Sequence, residues 1–169
     1  MNKLLLAALL ILPIASNAVE WIDLGKSADK QLQIFLDYDS VKRQDIAVYG
    51  GSSSFRAANQ KPKYISAVFQ STYINNNPLR KKGRYYSKEQ WFISCEDQTY
   101  YINAGIEYGF KDEVIDSWRS SKRSLSDSDF KYAFPETMGG NNVEEACSSI
   151  SIKELDSAES FEDFINNNS

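Results

Sequence analysis

Residues 84–109, RYYSKEQWFISCEDQTYYINAGIEYG, constrain the fold more than any other stretch of the chain. Two arms of mixed apolar and polar residues meet at Glu96-Asp97-Gln98, whose side chains favour bonds to their own backbone and so end strands. Strand side chains alternate between two faces, so each arm offers one face to bury and one to leave wet. On the first arm Trp91, Ile93 and Cys95 share a face, with Lys88, Gln90 and Ser94 opposite; Phe92 breaks the alternation. On the second arm Ile102, Ala104 and Ile106 share a face, with Asn103, Gly105 and Glu107 opposite. The expected unit is a long β-hairpin.

Further strands read out on either side of it. Residues 19–25 and 31–38 alternate as a first and second strand, and a third starts at 46–50. Residues 63–74 form a long strand with Ile65, Ala67, Phe69 and Tyr73 on one side, stopped by Asn75-Asn76-Asn77-Pro78. Another strand is expected at about 113–119. Asp39-Ser40-Val41 carries the capping residues of a single helical or 3₁₀ turn. Residues 51–63 and 120–131, rich in Ser, Asn or Gly, read as loops.

One helix closes the pattern. Pro135-Glu136-Thr137 is a helix start with Thr137 as cap. The helix extends to about residue 149 and brings Val143, Ala146, Cys147 and Ile150 to one face at spacings of three and four. Gly139, Gly140 and two asparagines oppose this reading, since each is a poor helix former. The acidic tail, 151–169, is expected to be disordered or a short helix using Phe161, Phe164 and Ile165. No repeat or second domain is visible.

Compartment follows from the first 18 residues. Lys3, an apolar run over residues 4–14 and Ser16-Asn17-Ala18 have the layout of an export signal with a small-x-small cleavage site. The run is short for a bilayer crossing and polar sequence follows at once, so removal after Ala18 is expected, leaving 151 of 169 residues. That length suits one domain, residues 19–150 plus the tail. No other segment is apolar and long enough to span a membrane. No cysteine lies near the cut, so a lipid anchor there is not expected. Loss of Lys3 takes the net charge from −4 to −5, which argues against nucleic-acid binding.

Cys95 and Cys147 are the two cysteines of a chain bound for an oxidising space. The economical reading is one disulfide closing a loop of 52 residue steps. The competing reading is a reactive or metal-binding thiol pair, disfavoured by wide spacing and by the lack of histidine. The absence of histidine also removes Ser-His and Cys-His nucleophile systems and histidine metal sites. No Gly-rich phosphate loop occurs. No cofactor, metal or catalytic set is expected. An enzymatic reading survives only as a carboxylate pair, Asp37 with Asp39 or Glu96 with Asp97, which needs a set separation across a cleft.

The candidate ligand-binding residues are Arg80, Lys81, Lys82 and Arg84, four charges in five positions of an acidic chain, extended by Lys88 on the polar face of the hairpin. They concentrate positive potential suited to a sulfated glycan, a lipid headgroup or an acidic protein segment. The plain alternative is a solvated loop that blunts a sheet edge. Tyr85, Tyr86, Tyr100 and Tyr101 are interface candidates, though alternation sends half of them to the core.

Several pieces in this order resemble the surface-adhesin protein E family of Gram-negative bacteria. They are Glu20-Trp21-Ile22, the run from Ile34 through Asp37, Ser40 and Val41 to Arg43, Trp91 to Ser94-Cys95, Tyr100-Tyr101, and the second cysteine behind Pro135 and Thr137. The match covers roughly residues 19–150. The resemblance implies an α+β, mainly β fold: an antiparallel sheet of about six strands with a C-terminal helix packed on it by a Cys95–Cys147 bridge. It also implies a non-enzymatic binding protein attaching to host extracellular matrix or cell-surface components, with a homodimer as one form. The alternative expectation is a periplasmic accessory protein binding an envelope component or another exported protein.

Overall fold

The computed structural model describes residues 19–49 and 63–167, with side chains followed to Ala158 except that of Tyr49. The export-signal reading of residues 1–18 and most of the loop reading of 51–63 lie outside the described residues. In chain order the elements are β1 (Trp21–Lys26), β2 (Leu32–Gln44), β3 (Val48–Tyr49), β4 (Tyr64–Tyr73), α1 (Pro78–Lys81), β5 (Tyr86–Ser94), β6 (Thr99–Tyr108), β7 (Val114–Arg119), β8 (Leu125–Ser126), β9 (Lys131–Tyr132) and α2 (Met138–Asn167).

Six strands make one antiparallel sheet in the order β1-β2-β4-β5-β6-β7, with β9 adding to one end of β6. A small parallel pair, β3 with β8, stands apart. The expected hairpin is its centre: β5 pairs β6 across the turn at residues 95–98, where Gln98 takes a positive φ of 51°. Helix α2 packs against β2 and β4. The fold is therefore α+β and mainly β, with about six strands and one C-terminal helix.

Burial explains why the helix sits where it does. Leu36, Ile65, Ala67, Phe69, Trp91 and Ile93 project from adjacent strands onto one face and meet Val143, Ala146 and Ile150 of α2. Leu36, Ile65, Ile93 and Val143 are wholly excluded from solvent. Each large side chain so removed from water contributes about 1.5–3 kcal/mol before the cost of ordering it. Trp91 packs between the Phe69 ring, at 4.9 Å, and the Tyr100 ring, stacked at 4.4 Å.

The disulfide is formed. Cys95 and Cys147 are joined with their Cα atoms 5.7 Å apart, tying the hairpin turn to the second half of the helix core. No free thiol is present among the described residues.

Two expectations fail because strands carry bulges. Asp39-Ser40-Val41 does not form a helical turn; it lies inside β2, where residues 38–41 face the single residue Ala67 of β4. Ser40 makes this possible. Its hydroxyl donates to the Asp37 carbonyl at 2.7 Å and accepts the Val68 N–H at 2.8 Å, while its own N–H bonds Asp37 Oδ1. A side chain thus takes the place of a missing ladder bond. The bulge drops Val41 into the core at 1% exposure.

The second bulge is in β6. Gln90 pairs with Ala104 but Trp91 pairs with Ile102, leaving Asn103 as an extra residue. Its amide donates to Gln90 Oε1 at 2.9 Å, and its carbonyl accepts the Ser120 N–H at 2.7 Å. Ile102 keeps the helix-facing side with Trp91. Ala104 and Ile106 are shifted to the other face, against the expectation that all three share one, because one inserted residue reverses every later side chain.

Ser94, expected on the wet face, is fully buried. At this end of the sheet the outer face is covered too: Phe130 stacks on Tyr64 at 5.2 Å and lies against Tyr101. The Ser94 hydroxyl finds its partner in Asp97 Oδ2 at 2.9 Å.

Thr137 caps α2 as expected, its Oγ1 accepting the Gly140 N–H at 3.1 Å. The helix does not stop near residue 149 but runs to Asn167. The turn after residue 150 is held to β2 by polar contacts. Lys153 donates to the carbonyls of Tyr38 and Val41, at 2.6 and 3.1 Å, with its ammonium over the Tyr38 ring. Glu154 pairs with Arg43 at 2.9 Å. The run from Asp37 to Arg43 thus works in the fold: Asp37 and Ser40 brace the bulge, Val41 fills the core, and Arg43 docks the helix.

Candidate functional site

The basic residues occupy one connection and one strand. Asn77 starts α1, its Oδ1 accepting the Leu79 N–H at 2.8 Å, and Pro78 fits the first turn because it has no N–H to leave unpaired. The helix is a single turn carrying Arg80 and Lys81, and Lys82 follows as its C-cap. Gly83 then takes φ 85°, a left-handed conformation that lets the chain reverse into β5.

The five residues are not equivalent once folded. The Arg80 guanidinium lies 3.3 Å over the Tyr85 ring, a stacked cation–π contact. Arg84 is ion-paired with Glu107 of β6. Lys88 points to the face away from α2, its ammonium 5.0 Å over the Trp21 ring of β1. Lys81 and Lys82 are exposed and form no ion pair among the described residues. The loop therefore offers two free cations, with Arg80 and Arg84 spent on holding it in place. Sequence spacing alone could not separate them, because Tyr85 and Glu107 are brought up by the hairpin.

Lys88 belongs to a broader surface. The face away from the helix carries Phe35, Gln70, Lys88 and Ile106 in one row across four strands, and Asp37, Val68, Gln90, Ala104 and Arg119 in the next. Trp21 stands at the end of that second row. Ile106 reaches this face only through the Asn103 bulge. Beyond it β7 is exposed at all six positions, Val114, Ile115 and Trp118 included. Trp118 lies flat against Gly105, where a Cβ would come within 2.6 Å of its indole nitrogen, so glycine is what admits the ring.

Of the four tyrosines, Tyr100 is the one turned to the core, against Trp91. Tyr101 lies under Phe130, with its hydroxyl 2.5 Å from Ser120 Oγ. Tyr86 lies on the open face, stacked on Tyr108 at 4.5 Å, with its hydroxyl donating to Asp112 Oδ1 at 2.9 Å. Burial, then the bond to the Asp112 carboxylate and its negative charge, push the Tyr86 phenol up to about 12. The fold holds the neutral form, so the stabilisation is complete below the ordinary value of 10.0 and is lost as pH rises from there towards 12. Between those limits wild type is expected to lose more denaturant resistance than Tyr86→Phe; parallel pH curves for the two proteins would refute this.

Two of the four carboxylates of the enzymatic reading have structural partners. Asp37 braces the β2 bulge. Asp97 accepts from Lys63 at 2.6 Å and from Ser94, and those two bonds, that of Lys63 first, hold its carboxyl below the usual range. Asp39 and Glu96 are exposed. Among the described residues no three His, Cys, Asp or Glu side chains cluster as a metal site, and no helix is long and apolar enough to cross a membrane. No family model, curated protein or solved structure matches the chain.

Proposed function

We propose that this is an exported, non-enzymatic binding protein of the adhesin E-like kind, engaging host extracellular matrix or cell-surface components. Contact is made by the sheet face away from α2 together with the 80–84 loop. The observation that carries the reading is the state of the loop cations: Lys81 and Lys82 stand free while Arg80 and Arg84 hold the loop rigid. With the backbone of the loop already held, binding through the two lysines carries little cost of ordering the loop itself. The open face adds aromatic and aliphatic area at Trp21, Phe35 and Ile106 and a further cation at Lys88, a mixture favoured in interfaces. The order of motifs shared with the adhesin family supports the same reading.

The test is binding of the purified protein, residues 19–169, to immobilised vitronectin, laminin and heparin at physiological salt. Lys81→Ala/Lys82→Ala is expected to weaken binding about tenfold, since two charge-assisted contacts of a solvent-exposed kind contribute about 1–2 kcal/mol together. The quadruple variant with Arg80 and Arg84 also changed to Ala is expected to lose more, through loss of loop order. If wild type and quadruple variant bind equally poorly, the proposal fails. Surface labelling of intact cells distinguishes display from the second reading, a periplasmic accessory protein binding an envelope component or another exported protein.

A further inference from the structure

A different site lies on the helix side of the sheet, beside the edge strand β1. A cleft of about 420 Å³ opens between the β1–β2 turn and the start of α2. Leu24, Ala28, Ile34 and Met138 give it an apolar wall. Its polar groups are Lys26, Ser27, Glu136, Thr137, Asn141 and Asn142. The size is that of a small-ligand site, and the mixture of apolar wall and few polar groups is typical of one.

Two independent features give the cleft its polarity. It lies at the N-terminus of a 30-residue helix, where unpaired N–H groups and the aligned peptide dipoles favour an anion. Thr137 takes the Gly140 N–H and its carbonyl takes that of Asn141, so the cap leaves the N–H groups of the helix's first two residues unspent. Second, Asn142 is 97% buried, lines the cleft, and its side-chain amide bonds no protein group among the described residues. The amide is not sealed from solvent, since Ser149 Oγ is the unpartnered buried side-chain atom among the described residues, so it is open to a ligand in the cleft. Its position is odd in the sequence as well: it sits one turn before Ala146 and beside Val143, where the helix buries apolar residues. Lys26 adds a cation at the rim that forms no ion pair among the described residues.

An adjoining cleft of about 360 Å³ shares Leu24 and Asn141 with the first and is lined by Asp23, Glu144 and Glu145. It runs between α2 and the edge strand β1, whose outer backbone groups have no strand partner among the described residues. An extended segment lying there would find backbone partners on β1, carboxylates for basic side chains, and an anion site with an apolar wall at its end.

We infer that this groove binds the free carboxyl terminus of an extended peptide, with its last carboxylate at Asn142, Lys26 and the α2 N-terminus, an apolar last side chain against Leu24, Ile34 and Met138, and a basic residue upstream facing Glu144 and Glu145. Such capture of a chain end by backbone N–H groups is an established recognition mode. The site is independent of the 80–84 loop, and neither proposal's failure touches the other.

The test uses isotopically labelled protein, residues 19–169, titrated with the peptide Lys-Arg-Ala-Leu as free acid and as C-terminal amide, followed by amide chemical shifts. The free acid is expected to shift Leu24, Lys26 and residues 138–142, and to bind at least about tenfold more tightly than the amide, the loss of one charge-assisted set of bonds. Asn142→Leu is expected to abolish that preference while keeping or raising the melting temperature, since an isosteric apolar group removes the unpaired amide. Lys26→Gln, at an exposed position, is expected to weaken the acid severalfold and leave the amide unchanged. Equal affinity of acid and amide, no binding of the acid at low millimolar concentration, or shifts confined to other residues would each overturn the inference.

Discussion

Replacing Cys95 and Cys147 together by serine is expected to lower the unfolding free energy by up to about 4 kcal/mol, the chain-entropy value for a closed loop of 52 residues. For a chain of this size that is a large share of total stability. The reason for expecting nearly the full effect lies in how α2 is attached. It lies mainly over β2 and β4, while the bridge ties it to the hairpin turn after β5. Without it, the turn at residues 95–98 keeps the Ser94–Asp97 bonds and the pairing of Asp97 with Lys63, which are exposed in part and worth little. The measurement is the denaturant midpoint of the double variant against oxidised wild type, with reduced wild type as a third arm. Coincident midpoints for all three would show that the core alone holds the helix.

Gly140→Ala is the second large effect, and its sign separates two lines of reasoning. On helix propensity alone the change stabilises by about 1 kcal/mol, because glycine is a poor helix former. The fold says the opposite. A Cβ at position 140 would stand 2.2 Å from the Phe134 carbonyl oxygen and 3.2 Å from the Pro135 Cα, and these are backbone atoms that cannot swing away. The chain entering the helix crosses its own first turn at that point. Overpacking of this kind costs typically 1–3 kcal/mol, and here it also strains the cap made by Thr137. Gly139→Ala is the control: its Cβ would meet only the Tyr100 ring, at 3.3 Å, so a smaller change is expected. Thermal melts of both variants decide the matter, and a more stable Gly140→Ala would sink the argument.

The same glycines show why part of the fold was legible in the sequence and part was not. Alternation in residues 63–74 and 84–109 marks strands because it is a local property of the backbone, and the observed β4, β5 and β6 fall within a residue or two of those bounds. Thr137 as a cap and the apolar spacing of Val143, Ala146, Cys147 and Ile150 are local in the same sense. The face of Ile106 is not: it depends on one inserted residue, Asn103, whose effect exists only when β5 lies beside it. The helix beyond residue 149 could not be seen either, since Lys153 and Glu154 are tied to Tyr38, Val41 and Arg43, more than a hundred positions away.

The candidate sites divide the same way. A run of Arg80, Lys81, Lys82 and Arg84 is visible as charge, but which of them stays free depends on Tyr85 and Glu107 being folded alongside. Asn142 could be noticed as a polar residue on an apolar helix face, yet the cleft it lines needs the β1–β2 turn to be brought over the start of α2.

By itself the order of residues determined the main strands, the start of the closing helix, the single bridge and the mainly β class, because periodicity, capping and cysteine count act over a few neighbours or on the whole chain at once. Helix α1 and the short strands β8 and β9, the last two touching a stretch expected as a loop, were not visible in it. The tertiary structure alone decided which side chains face solvent, which charges are already paired and where a groove opens, because each of these is set by contacts between segments far apart in sequence.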